Sequence, residues 1–159
     1  VDEVDFKLIR QMLAQARITW SELASFLKLS APATADRVRR LEERGVIKGY
    51  VTLIDPKAVG CDLTAFIAVT LERPEHRTPF LQRIQELPSV QECHHVTGDD
   101  DYLLKVRCCN TEDLERIISD DLKSLPGIVR TRTTIVLSTP KETPVLPLPP
   151  SAAKELIEG

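Results

Sequence analysis

The stretch from Ser30 to Gly45, SAPATADRVRRLEERG, leaves the chain least freedom, because it specifies a helix at both ends and two different faces in between. Ser30 is a natural N-cap, Pro32 suits a first turn that needs no backbone donor, and Gly45 can take the left-handed position past the end. Ala35, Val38 and Leu41 recur as a narrow apolar stripe, and Ala33, Arg37, Arg40 and Arg44 recur on another face. The small residues Ala31 to Thr34 would let the backbone sit close to base edges while arginines reach flanking phosphates. An isolated Arg-rich helix is more often a solvated surface helix, so its neighbours decide.

Those neighbours favour recognition. Val4, Leu8, Ile9, Met12 and Leu13 have helical spacing, which predicts an opening helix over residues 2–16, favoured at its start by Asp2, Glu3 and Asp5. Thr19 with Glu22 forms a capping-box pattern ahead of a second helix, residues 20–27, whose core residues are Leu23, Phe26 and Leu27. A brief turn at Lys28 and Leu29 leads into Ser30. Two short helices joined by a turn and braced by a third make a helix-turn-helix unit, which predicts binding to double-stranded DNA. Trp20 is expected as a buried prop between helices. The β-branched run VIKGYVTLID after Gly45 predicts a strand or small wing turning at Lys48 and Gly49.

The charge distribution agrees. The formal net charge is −3, but residues 1–60 carry 10 Lys+Arg against 8 Asp+Glu, and residues 61–159 carry 11 against 16. A weakly basic first part suits a DNA-binding unit, and the acidic remainder has another task. Cys61, Cys93, Cys108 and Cys109 form no CxxC pair and read as reduced structural thiols. The sequence has no long apolar span and no basic-then-apolar leader before the first helix, so a cytoplasmic protein with no membrane partner is expected.

From Cys61 the periodicity changes. Strand-like runs at 63–72, 90–97, 101–108 and 128–138 alternate with helical runs at 78–87 and, capped by Thr111, at 111–122. The order β-α-β-β-α-β predicts an α+β ferredoxin-like domain, with an antiparallel four-stranded sheet carrying both helices on one face. The open face is then expected to pack on a second subunit. Prolines 140, 144, 147, 149 and 150 predict an extended spacer, followed by a short helix over 151–158. The domains are therefore expected at 1–50 (DNA binding), 51–60 (hinge), 61–139 (regulation and oligomerisation) and 140–159 (tail).

Several motifs occur in one order: Asp2-x-x-Asp5, Arg17-Ile18-Thr19, Leu29-Ser30, Arg37-Val38-x-Arg40-Leu41-Glu42-x-x-Gly45-Val46-Ile47-x-Gly49-Tyr50, Val90-x-Glu92-Cys93, Val96-Thr97-Gly98-x-x-Asp101-Tyr102-Leu103-Leu104, and Leu125-Pro126-Gly127-Ile128. In these the chain resembles the Lrp/AsnC, or feast/famine, transcriptional regulators over residues 2–138. The resemblance implies an N-terminal winged helix-turn-helix, a C-terminal amino-acid-binding regulatory domain, and homodimers that assemble into tetramers or octamers. Ala16 and Lys28 stand where the family usually has glycine, so the first two helices must close differently. Asp100 replaces the common aromatic of the Gly-x-aromatic-Asp-Tyr turn, which bears on the effector.

For DNA, Ser30, Ala31, Ala33, Thr34 and Arg37 are the candidates near base edges, with Arg39, Arg40, Arg44 and Lys48 on phosphates; Asp36, Glu42 and Glu43 are expected to face elsewhere. Asp99, Asp100 or Asp101 could accept the α-ammonium of an amino acid while turn amides take its carboxylate. The resemblance places that pocket between subunits and adds Val96, Gly98 and Tyr102; the plainer reading is a solvated hairpin turn. His94 and His95, adjacent on a strand, point to opposite sides and share no metal, one packed and one exposed. No catalytic residue, metal site or cofactor is assigned. The expected function is a sequence-specific transcriptional regulator responsive to an amino acid. The alternatives are an effector-blind DNA organiser or a sirohaem decarboxylase-like enzyme, though Cys93 to Tyr102 lacks the histidine, asparagine and tyrosine pattern of the latter.

Overall fold

The structure is a computed structural model that describes residues 1–149. The helix expected over 151–158 lies outside the described residues. The described residues divide into two units, one formed by Val1–Thr52 together with residues 142–149, the other by Leu53–Lys141.

The first unit holds α1 (Glu3–Ala14), α2 (Trp20–Leu27) and α3 (Ala31–Glu43). Each begins on a side-chain cap. Asp2 accepts from the Asp5 amide at 2.8 Å while Asp5 accepts from the Asp2 amide at 3.0 Å, so two aspartates make the capping box of α1. Thr19 and Glu22 do the same for α2, and the Ser30 hydroxyl accepts from the Ala33 amide. Such caps contribute about 1 kcal/mol each. Leu8, Leu23, Val38 and Leu41 are the buried centre, with Ile9, Met12, Ile18, Leu27 and Ile47 packed around them.

The end of α2 settles one departure from the family pattern. Lys28 adopts φ 56°, ψ 41°, the left-handed conformation that glycine takes without steric cost. Trp20, at the first position of α2, is 46% exposed; it is no buried prop. The expected strand after Gly45 does not form either: residues 46–55 hold no strand, and Tyr50, Val51, Leu53 and Ile54 are exposed. An alternating run needs a neighbouring strand for its backbone groups, and no described segment supplies one.

The second unit contains β1 (Leu63–Leu71), α4 (Arg77–Glu86), β2 (Val90–His95), β3 (Tyr102–Cys108), α5 (Thr111–Arg116), a π-helical turn at Ile117–Leu122, and β4 (Ile128–Ile135). The sheet is antiparallel in the order β2-β3-β1-β4. Alternation decides its faces. Ala65, Ile67 and Val69 of β1 and Tyr102, Leu104, Val106 and Cys108 of β3 join Phe80, Ile84, Leu114, Ile117 and Leu122 in one core. Phe66, Ala68, Leu103, Lys105, Arg130 and Arg132 occupy the opposite face by register. This is the α+β arrangement read from the sequence.

Asn110, not Thr111, caps α5, accepting from the Asp113 amide at 2.9 Å. The widened turn after it has a physical origin. Ile117 and Leu122 are both buried and five residues apart, a spacing that the π-helical turn aligns, leaving Asp121 to accept from Arg83 and Arg116 at 3.0 Å each. Gly127, at φ 85°, lies so close to the His76 ring that a Cβ there would stand 2.1 Å from Cγ. All four cysteines are free thiols, and burial pushes the Cys93 and Cys108 thiols up.

Replacing Lys28 by glycine relieves the left-handed backbone, and we expect Lys28→Gly to stabilise the first unit by about 1 kcal/mol. Urea unfolding followed by Trp20 fluorescence measures it, since Trp20 is the sole tryptophan and lies in that unit.

Candidate nucleic-acid interface and effector turn

The faces of α3 differ by one residue from the sequence reading. Thr34, Val38 and Leu41 point into the core, and Thr34 is fully buried with its hydroxyl donating to the Ser30 carbonyl at 3.0 Å. Thr34 therefore does not reach a base edge: a short side chain whose hydroxyl is satisfied inside the helix serves the core. Ala31 and Ala33 remain exposed, and Ser30 is committed to its cap.

Arg37 is also placed otherwise than expected. Its Nη1 donates to Asp2 Oδ2 and Asp5 Oδ1, each at 2.8 Å, so the guanidinium clamps α3 to the start of α1. Burial acts to raise the Asp2 carboxyl, but the Arg37 hydrogen bond and charge outweigh it and hold Asp2 below the usual carboxylate range. The same bonds raise Arg37. Arg37 is a clamp within the unit, and base contact would require it to leave two carboxylates.

The outward face carries Arg39 and Arg40, both bonded to Asp36, with Arg39 reaching Glu43 as well. Asp36 and Glu43 thus share the face of these arginines instead of facing elsewhere; i, i+3 and i, i+4 spacing brings them together. Arg39 holds the Asp36 carboxyl below its usual range. Arg44 and Lys48 are exposed and make no ion pair among the described residues. Tyr50 donates to Glu42 at 2.8 Å; burial and that carboxylate push its phenol up to about 12.

The turn between β2 and β3 is built by its own carboxylates. The Val96 amide donates to the Asp101 carbonyl at 3.0 Å, and Gly98 supplies φ 110°. The Asp101 amide donates to the Val69 carbonyl at 2.9 Å, and its Oδ2 accepts from the Leu71 amide at 2.7 Å. Asp101 pins the turn to β1. Asp100, 9% exposed, accepts from Thr70 Oγ1 at 3.0 Å, Arg130 at 3.2 Å and Arg132 at 2.6 Å. Burial works against its charge, yet Thr70 and the two arginines keep its carboxyl below the usual range.

Two of the three aspartates expected to receive an ammonium are therefore spent within the chain, and Asp99 alone stays exposed without an ion pair among the described residues. Beneath the turn, Tyr102 is buried with a hydroxyl that finds no partner among the described residues. Its ring stacks with His95 at 5.1 Å between centroids and lies 5.9 Å below the Arg77 guanidinium, which approaches His95 Nδ1 at 3.2 Å. His94 is 57% exposed and paired with Glu92 at 3.1 Å. His95 is exposed as well, so the expected division into one packed and one exposed histidine is not met. Neither the Arg37 clamp nor the Asp100 cluster was visible in sequence, because both join residues about thirty positions apart.

A three-helix reading head with a basic helix and a separate sheet domain defines a two-part DNA-binding regulator. Residues 1–48 match the family description "Winged helix-turn-helix DNA-binding" and residues 64–146 match "Lrp/AsnC ligand binding domain". The chain is 40% identical over 139 residues to the HTH-type transcriptional regulator LrpA of Mycobacterium tuberculosis, covering 87% of this chain and 91% of that protein. It is 35% identical over 145 residues to the leucine-responsive regulatory protein of Escherichia coli, covering 90% and 88%. A transcriptional regulator from Neisseria meningitidis, solved in complex with L-methionine, superposes with a TM-score of 0.86 at 29% identity over 92% of this chain and 96% of that one. The chain belongs to the Lrp/AsnC family of transcriptional regulators.

Two outcomes follow from these clusters. Removing Arg37 leaves the Asp5 carboxylate, 11% exposed, without its cation. Arg37→Ala should cost about 1–3 kcal/mol in Trp20-monitored unfolding; Asp5→Ala on top should cost less than the sum of the single changes, as a double-mutant cycle shows. The Asp100 carboxyl is lower in the folded state than in the unfolded one. Its contribution is complete above the ordinary aspartate range near ~4 and is lost as pH falls through the lower folded value. Asp100→Asn should therefore be less stable than the parent at pH 7, with the gap narrowing below pH ~4 when urea midpoints are compared by circular dichroism.

Proposed function

We propose that this chain acts in the cytoplasm as a homodimer, assembling further into tetramers or octamers, that binds double-stranded DNA through the outward face of α3. Amino-acid binding beside the Gly98 turn would regulate its occupancy. The observation that carries the reading is α3 itself: a capped helix with small exposed residues at its start and Arg39, Arg40, Arg44 and Lys48 exposed beyond them. Ser30, Ala31 and Ala33 set the backbone against base edges, and the four cations take phosphates. The carboxylates beside Arg39 and Arg40 are exchanged for phosphates on binding, so the ion pairs hold the arginines extended beforehand.

The amino-acid part draws on relatives. A feast or famine regulatory protein from Mycobacterium tuberculosis, 37% identical with a TM-score of 0.84, was solved with L-methionine, as was the Neisseria meningitidis regulator. In this chain Asp99 is the carboxylate left to take an α-ammonium, with Val96, Gly98 and Tyr102 around it and Asp100 and Asp101 shaping the turn. The exposed run Tyr50–Ile54 supports self-association. The relatives are named as regulators, and we read the chain as a regulator and not an enzyme. The effector-blind organiser is a second reading, favoured by the engagement of Asp100 and Asp101 within the chain.

A thermal-shift screen of the twenty amino acids separates the two, because a ligand at 100 times its dissociation constant adds about 2.7 kcal/mol. Alongside it, fluorescence anisotropy with duplex DNA should show affinity falling with salt at a slope near −7 if two heads each neutralise four phosphates. A flat screen with intact DNA binding selects the organiser, and a slope near zero removes α3 as the DNA face.

A further inference from the structure

We propose that the outer face of α1 is a docking surface for this chain's own Pro-rich tail, residues 142–149, and that the docked tail holds the DNA-binding unit as a second tether beside the linker. The tail follows β4, the last strand of the sheet unit, yet its residues 142–149 group with residues 1–52. The Arg10 guanidinium on α1 donates to the Pro149 carbonyl.

The burial pattern marks the same place from both sides. Between Leu137 and Pro149 every residue is exposed except Leu148, which is half-buried, whereas Val145 and Leu146 are 50% and 66% exposed. On α1, Phe6 lies one turn before Arg10 on the same face; it too is half-buried, although it does not belong to the Leu8–Leu23–Val38–Leu41 core. An apolar residue from the tail and an apolar residue from the helix are each covered beside one charged hydrogen bond.

The tail is also shaped for a shallow contact. Pro144, Pro147 and Pro149 fix their own φ angles, so ordering these positions costs less chain entropy than ordering a flexible segment. Local bonds fix more: the Leu148 amide donates to the Leu146 carbonyl at 2.9 Å, and the Val145 amide to Thr143 Oγ1 at 3.2 Å. A segment so preorganised can be held by one apolar side chain and one hydrogen bond to a guanidinium. The reading head is then gripped by chain at both its ends.

Trp20, the sole tryptophan, sits in α2 and reports the motion of the head alone. Time-resolved anisotropy of the full chain in its native assembly is expected to decay with the slow correlation time of the whole particle. Leu148→Asp, Arg10→Glu and truncation after Lys141 should each add a faster component, with a correlation time at least threefold shorter. Decays that superimpose on the parent in all three variants overturn the proposal. So does a fast component on truncation alone with both point variants silent, because the contact named here is then not the one that holds the head.

Discussion

A reading head of some fifty residues has room for very little apolar core, and that shortage governs the rest of its construction. Four side chains, Leu8, Leu23, Val38 and Leu41, form the buried centre. With so little area to bury, orientation of α3 depends on polar groups at the helix ends. Asp2 and Asp5 serve twice, first capping α1 and then receiving Arg37 across the packing seam. The carboxylates that cap α1 also tie α3 to it.

The sheet unit solves the opposite problem. It has an ample core on one face, and its polar chemistry gathers where the turn between β2 and β3 crosses the end of β1. Asp101 replaces a missing strand neighbour for the Leu71 amide, and Asp100 reaches over Thr70 to the arginines of β4. The turn is a fixed ledge above a buried tyrosine, and its one outward carboxylate is Asp99.

The elements were legible where periodicity and caps spoke together. Thr19 with Glu22, Ser30 ahead of Pro32, and the alternation from Tyr102 to Cys108 each announced a boundary or a face, and the α+β sheet order followed. What stayed hidden depended on distance along the chain or on a partner. Thr34 and Ala35 are adjacent small residues on a helix, and which of them turns inward is decided by packing against α1 and α2. Arg37 reads as one more arginine of a basic face until α1 is placed beside it. The run 46–55 has the composition of a strand, but composition supplies no neighbour, and the segment stays open. At Asp100 the sequence showed a departure from the family pattern, and the structure supplies its local consequence, a carboxylate folded inward onto two arginines.

That carboxylate has a bearing on self-recognition. When a surface meets its own copy across a twofold axis, each cation faces a surface of the same composition, and complementary charge must already be present within one chain. On the open sheet face Asp100 answers Arg130 and Arg132, and Glu92 answers Lys105. The face brings its counterions with it, which makes it compatible with a second copy of itself and poorly suited to a partner of uniformly acidic charge.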